Sequence, residues 1–437
     1  MKLPAEPLTI LMLTHVIGRT GGIEAALVDL TADLTRRGHS VLVYSCRPPV
    51  GDNQNVARLR RAGADLASSP AWLAAIAGSS SSSRAGFIRA LLLALSPLIG
   101  LAALADCLRS QRALRRSWQG AYGRARGSLG WLMDLDRLYY RRLNRLIRRN
   151  RPDLIHVHGW GCGADPPGGL AWARRSSLPI AYTEHNSPPP SADGEQALSP
   201  INLADVIIAC SQAGAIGLSQ TCCADKPITV IPYSVADPVP TGFTAAARPD
   251  RPFTFTCLAR LNVAQKRQDD LIRAFHLLRA TSPAPARLLL AGDGPDLQHL
   301  HGLVRQLDLS GSVQLLGAVP RERLPWLMAE SDVMVLPSTW EGLPVSIIES
   351  MAFGKPVIAS DAGGNPELVA DEQSGLIVPV GGIDQLQQAM QRLMTDRELA
   401  RRMGRAARER FEQGGFGPDT VGAATLAVYR RAMDAQA

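Results

Sequence analysis

Two glutamates, Glu341 and Glu349, stand eight positions apart in SDVMVLPSTWEGLPVSIIESMAFGKPVIASDAGGNPELVADEQSGLIVPV, the stretch from Ser331 to Val380. The first falls on a break in the apolar pattern, the second inside a run of helical spacing. Eight residues of helix advance about 12 Å, so the two carboxylates can hold opposite ends of an extended ligand. The helix start between them offers unpaired N–H groups and the positive end of a dipole, which suits an anion in the middle. Glutamate pairs at this spacing also abound on solvated helix faces, so the surrounding elements decide what the pair means.

Those elements are a β-loop-α-β unit. Asp332 to Leu336 has strand length, Pro337 to Gly342 breaks it, Pro344 to Ala352 reads as a helix stopped by Gly354, and Pro356 to Ala359 is a second strand. The chain opens in the same style. Leu8 to Leu13 is a strand, GRTGGIE a turn, Ile23 to Arg37 an amphipathic helix closed by Gly38, and Val41 to Tyr44 the next strand. No G-x-G-x-x-G fingerprint is present, so spacing alone makes Gly21 and Gly22 a tight turn before it makes them a diphosphate cradle. Pro152 to Val157 is a further strand, ending in HVHGWG. Alternation puts His156 and His158 on one face, and His158 lies nearer the carboxyl edge, where open α/β sheets bind ligands.

At 437 residues the chain suits two domains rather than one core. The expected division is 1–240, 241–415 and a last helical stretch, 416–437. A hydrophobic content of 46% and a mean hydropathy near zero fit a globular α/β protein. Seven cysteines without metal-ligand spacing, including adjacent Cys222 and Cys223, read as reduced thiols, and the apolar start is too short for a signal peptide, so a cytoplasmic setting is expected. The net charge of +8 is uneven. Between Arg84 and Arg151 there are fifteen Arg, no Lys and three Asp, a local +12 that leaves the rest at −4. No nucleic-acid motif accompanies it, so no nucleic acid is expected as a partner. Residues 79–83 are a serine run. Residues 87–105 are apolar but short for a membrane span and contain Pro97 and Gly100. With the Arg-rich helical pattern that follows, they fit either an anchor on anionic lipid or a buried hairpin with solvated Arg. Asp134 and Asp136 lie within that pattern and read as solvated charge, so no metal is expected.

The block from Pro337 to Glu367 closely resembles the signature of the retaining glycosyltransferases of the GT-B fold, glycosyltransferase family 4 (group 1 glycosyltransferases). That signature places seven residues between two Glu, the first in P-S-x-x-E-G-[FL]-P and the second in E-[AS]-M-A-x-G-x-P-V, followed by G-G-x-x-E. The resemblance is dense from Arg260 to Pro379 and covers about three quarters of the chain. It implies two facing Rossmann-like domains with the active site in the cleft between them, and transfer of a hexosyl unit from a nucleotide diphosphate sugar to a hydroxyl acceptor.

By that resemblance Glu349 takes the donor ribose, Glu341 the sugar hydroxyls, and the N–H groups of Gly342 and Leu343 oxygens of the sugar or diphosphate. Arg260 and Lys266 grip the diphosphate, Gly21 and Gly22 bring donor phosphates and acceptor together, and Glu367 lies on a ligand-side loop. His158 contacts the transferred sugar, although His156 fits the spacing equally well. Glu184 and His185, at the end of the strand Ile180 to Thr183, are acceptor-side candidates. No cofactor beyond the nucleotide sugar and no metal is implied; a lipid-linked or growing surface glycan is the expected acceptor because the basic segment 84–151 could hold the first domain on an inner leaflet. The family usually carries Asn-Gly after Pro232, where this chain has Tyr233 and Ser234. A silent nucleotide-sugar binding protein, or a GT-B phosphorylase or epimerase, would share the pattern.

Overall fold

Strands covered on both faces read as unbroken apolar runs, and the runs in this chain build two parallel sheets. The computed structural model describes residues 6–14, 17, 22–45, 53–68, 135–159, 170, 173–185, 200–221, 226–243 and 251–436. Among these residues the first sheet contains β1 (Thr9–Thr14), β2 (Ser40–Ser45), β3 (Asp65–Ser68), β4 (Leu154–Gly159), β5 (Ile180–Glu184), β6 (Val206–Ala209) and β7 (Ile228–Val230), in the order β3-β2-β1-β4-β5-β6-β7. The second contains β8 (Phe253–Leu258), β9 (Ala286–Ala291), β10 (Val313–Gly317), β11 (Val333–Leu336), β12 (Val357–Ser360) and β13 (Gly375–Val378), in the order β10-β9-β8-β11-β12-β13. Each order reverses once, at β1/β4 and at β8/β11. Such switch points open a crevice beyond the carboxyl ends of the strands.

Among the described residues the α-helices are α1 (Gly22–Arg36), α2 (Gln54–Arg61), α3 (Leu135–Asn150), α4 (Gln212–Thr221), α5 (Val263–Lys266), α6 (Gln268–Thr281), α7 (Leu297–Gln306), α8 (Leu324–Glu330), α9 (Val345–Ala352), α10 (Asn365–Leu368), α11 (Ile383–Thr395), α12 (Arg397–Gln413) and α13 (Pro418–Asp434). Alternation along β1 and β4 splits the first core in two. Leu11, Leu13, Ile155 and Val157 face one way, while Ile10, Met12 and Leu154 face the other and meet Leu27 and Leu34 of α1. Val421, Leu426, Tyr429 and Ala432 of α13 join that second layer, so the last helix packs on the first sheet. Ala26, Cys210 and Tyr233 of the first half share a buried cluster with Leu343, Val345 and Ile348 of the second. The two halves therefore meet through apolar contact at the crevice.

Several sequence-based expectations shift at this level. β4 runs two residues further than its apolar run because its pairing with β5 continues through His158 and Gly159, opposite Thr183 and Glu184. Both histidines thus lie within the strand. Gly21, residues 79–83 and 87–105, Asp134, Cys222 and Cys223 fall outside the described residues, while Asp136 belongs to α3. Among the described residues no helix is long and apolar enough to cross a membrane.

Candidate active site

The loop after β11 carries Glu341, and its shape comes from what it is tied to. Thr339 N–H donates to the Gln265 carbonyl at 2.7 Å, and Gln265 Nε2 donates to the Trp340 carbonyl at 3.3 Å. The loop is thereby fastened to α5, whose own start is held by Asp296 Oδ2 accepting from Val263 N–H at 2.8 Å. On the other side the backbone of Glu341 lies against Gly363. A Cβ there would come within 1.9 Å of the Glu341 carbonyl, and Gly363 has φ +51°, so only glycine fits without strain. This is the physical content of the first glycine in G-G-N-P-E.

So fastened, Glu341 is buried, and its Oε1 accepts from Lys266 Nζ and from Ser338 Oγ, each at 2.5 Å. The cation and the carboxylate predicted from the sequence are direct neighbours. Arg260 is exposed after β8 and makes no ion pair with any described residue. The turn beyond β9 closes against it, since a Cβ on Gly292 or Gly294 would strike the Ala259 or Leu261 carbonyl at 1.9 and 2.1 Å. Gly342 packs across the crevice, where a Cβ would meet the His185 carbonyl at 2.1 Å. Gly22, at the start of α1, sits against the Val345 side chain at the start of α9. Two helix N-termini thus approach each other from opposite halves, beside Glu341 and Lys266. Their N–H groups suit an anion.

Glu349, on α9, is also buried, and burial pushes its carboxyl up to about 7 against the opposing pull of Arg321. Arg321 Nη1 lies 3.7 Å from Glu349 Oε1, too far for a hydrogen bond. The other arm of Arg321 reaches Asp29 of α1 at 3.2 Å, and Asp29 is also held by Arg58 of α2 at 2.5 Å. Asp29, Arg58 and Arg321 were not singled out from the sequence. Nothing in their spacing joins positions 29, 58 and 321.

On the first sheet the two histidines of β4 have different surroundings. Both ring nitrogens of His156 are engaged, Nδ1 with Tyr429 at 2.8 Å and Nε2 with Thr183 at 2.7 Å. His158 uses only Nδ1, 3.1 Å from His185 Nε2, and its own Nε2 is buried with no partner among the described residues. His185 spends its other nitrogen on Tyr233, at 3.0 Å. Of the pair that spacing left open, His158 is the one with a free acceptor or donor. His185, expected on the acceptor side, instead has both nitrogens occupied by His158 and Tyr233. Glu184 is buried and accepts from Tyr182 at 2.8 Å, so this carboxylate is turned to its own strand. Leu343 is buried against Gly364. Glu367, expected on the donor, does something else. Its two oxygens accept from Gln212 N–H and Ala213 N–H at 2.8 and 2.7 Å, which caps α4 of the first half with a residue of the second.

The model of the glycosyl transferases group 1 matches residues 242–410, and that of glycosyltransferase family 4 matches residues 107–239. A GDP-mannose-dependent alpha-(1-6)-phosphatidylinositol monomannoside mannosyltransferase of Mycobacterium tuberculosis is 36% identical over 193 residues, 43% of this chain and 49% of that protein. An N-acetyl-alpha-D-glucosaminyl L-malate synthase of Bacillus anthracis is 35% identical over 144 residues, 33% of this chain and 37% of that protein. The chain thus spans half or less of the length of these curated relatives. Among solved structures, sucrose-phosphate synthase from Thermosynechococcus elongatus has a TM-score of 0.67 at 19% identity, covering 97% of this chain and 98% of that one. Anabaena HepE in complex with UDP and glucose has a TM-score of 0.64 at 20% identity, covering 96% and 99%.

Proposed function

Because this chain belongs to glycosyltransferase family 4, the group 1 glycosyltransferases, and has the GT-B fold, we propose that it moves a hexosyl residue from a nucleotide diphosphate sugar to a hydroxyl acceptor with retention of configuration. One observation carries the reading: the Lys266–Glu341 pair lies where two helix N-termini converge between the sheets, with His158 on the facing strand. The second half takes the donor. Lys266 and Arg260 neutralise the diphosphate, Glu349 accepts from the ribose hydroxyls, and Glu341 accepts from hydroxyls of the sugar through Oε2, the oxygen not used by Lys266 and Ser338. The amides of Gly342 and Leu343 face sugar or diphosphate oxygens, and Gly22, with Gly21, lets the first half approach the phosphates.

In the reaction the bond from the anomeric carbon to the β-phosphate oxygen breaks and a bond to the acceptor oxygen forms. The acceptor's proton passes to the departing diphosphate. Fixed cations and helix ends stabilise the charge that develops, so the reading needs no metal and no further cofactor. Purified protein is to be offered a panel of nucleotide sugars and glycan or lipid-linked acceptors. Transfer that is lost in a folded Glu341→Ala variant supports the reading; phosphorolysis, in which inorganic phosphate takes the glycosyl group, or conversion without acceptor, counts against it.

The acceptor class draws support from charge. The relatives include a phosphatidylinositol monomannoside mannosyltransferase, and α3, inside the basic segment 84–151, exposes Arg141, Arg145, Arg148 and Arg149. An anionic inner membrane face fits such a surface. Binding to anionic vesicles that falls steeply with added salt is expected; solubility without any vesicle binding would refute it.

A further inference from the structure

His158 Nε2 and Ser234 Oγ are buried polar atoms with no partner among the described residues, both in residues less than 5% exposed. They border a cavity of about 40 Å³ whose wall includes Thr183, His185 and Tyr233 together with apolar residues such as Leu27, Ile208 and Val421. Whether His158 Nε2 gives or takes a hydrogen bond there depends on a chain of contacts that begins at Tyr233, the residue standing where the resembled family usually has Asn.

A phenol carries one hydrogen. Tyr233 Oη lies 3.2 Å from the His185 carbonyl oxygen and 3.0 Å from His185 Nδ1. A carbonyl can only accept, so the phenolic hydrogen goes to it. Then Nδ1 must hold the ring proton of His185 and donate it to Oη. Burial keeps both imidazoles neutral, with His158 held down to about 3 and His185 well below the usual range, so each ring has a single proton. His185 Nε2 is therefore bare and accepts from His158 Nδ1–H at 3.1 Å. His158 Nε2 is then bare as well, and of the two bare nitrogens it is the one with no partner among the described residues. Running the chain the other way would set a phenol lone pair against the carbonyl oxygen and leave it, among the described residues, only the weak thiol donor Cys210 Sγ, 3.8 Å away, in place of the phenol's hydrogen bond.

We infer that Tyr233 is a positioning residue: through His185 it fixes the tautomer of His158, so that Nε2 presents an acceptor to a hydroxyl of the transferred sugar. The sugar hydroxyl rests on the proposed transfer reaction, whereas the tautomer does not. The test uses the full chain labelled with ¹⁵N in its histidines, with His158 and His185 assigned from His158→Gln and His185→Gln variants. Imidazole correlations between pH 6 and 8 are expected to show Nδ1 protonated and Nε2 bare in both rings, without change across the range. Tyr233→Phe keeps the ring and removes the oxygen. In that variant the Nε2-protonated form is expected to appear in both rings, while kcat falls about tenfold, the worth of one neutral hydrogen bond, and donor KM stays within twofold. Protonated His158 Nε2 in the parent overturns the inference, and so do unchanged tautomers in Tyr233→Phe. A parent that shows the expected tautomers yet transfers no sugar would sink the proposed reaction and leave the hydrogen-bond chain standing.

Discussion

Glu341 and Glu349 look equivalent in the sequence and differ in the fold. Glu341 is neutralised at 2.5 Å by Lys266, while Glu349 has a cation only at 3.7 Å and is lifted by burial to about 7. For a carboxyl whose folded value is raised, stability is full below the unfolded value of 4.5 and is lost as pH rises toward 7, because the unfolded chain ionises first. The cost at pH 8 is on the order of 3 kcal/mol. Glu349→Gln removes it, so the variant is expected to melt several degrees above the parent at pH 8, with the gap closing by pH 5. A constant gap across that range would show that Glu349 ionises freely in the fold. The Glu pair, Arg260 and Lys266 were legible because one local motif and its neighbour hold them. The partners Asp29, Arg58 and Arg321 were not, since ion pairs between distant positions leave no local trace. Tyr233 was visible only as a departure from the expected Asn.

At the scale of elements, apolar runs such as TILMLT and VMVL announced the buried parallel strands. β3, DLAS, was missed because its side chains are half-buried or exposed at the sheet edge and its apolar pattern is thin. Glu367 shows how a residue noticed in a motif can carry a contact that the motif does not reveal. The motif fixes its place after Gly363 and Gly364, but only the assembled halves bring the start of α4 to its carboxylate. A helix cap is worth about 0.5–2 kcal/mol. Glu367→Ala should lower stability by that amount and leave nucleotide affinity within twofold. A tenfold loss of nucleotide affinity with unchanged melting would return Glu367 to the donor.

Across the whole molecule, two sheets whose strand orders match over six strands, the first adding β7 at its edge, turn their switch points toward one crevice. The contacts that close it come from both halves: Gly22 on Val345, Gly342 on His185, Arg321 on Asp29. The chain's net charge of +8 says nothing of this, because its basic excess lies between Arg84 and Arg151, whereas the crevice carries charges of both signs, such as Lys266 beside Glu341 and Arg58 and Arg321 on Asp29. Sugar transfer needs the donor grip and the sugar carboxylate to be separable, and a single measurement addresses that. Transfer rate and thermal stabilisation by nucleoside diphosphate are to be compared in the parent and in Glu341→Ala, with a chelator present throughout. The expected result is that one nucleotide stabilises both proteins while only the parent transfers its sugar, the variant losing at least a hundredfold in rate, about 3 kcal/mol of barrier. Transfer at the parental rate by Glu341→Ala, or no stabilisation of the parent by any nucleoside diphosphate, would contradict the account.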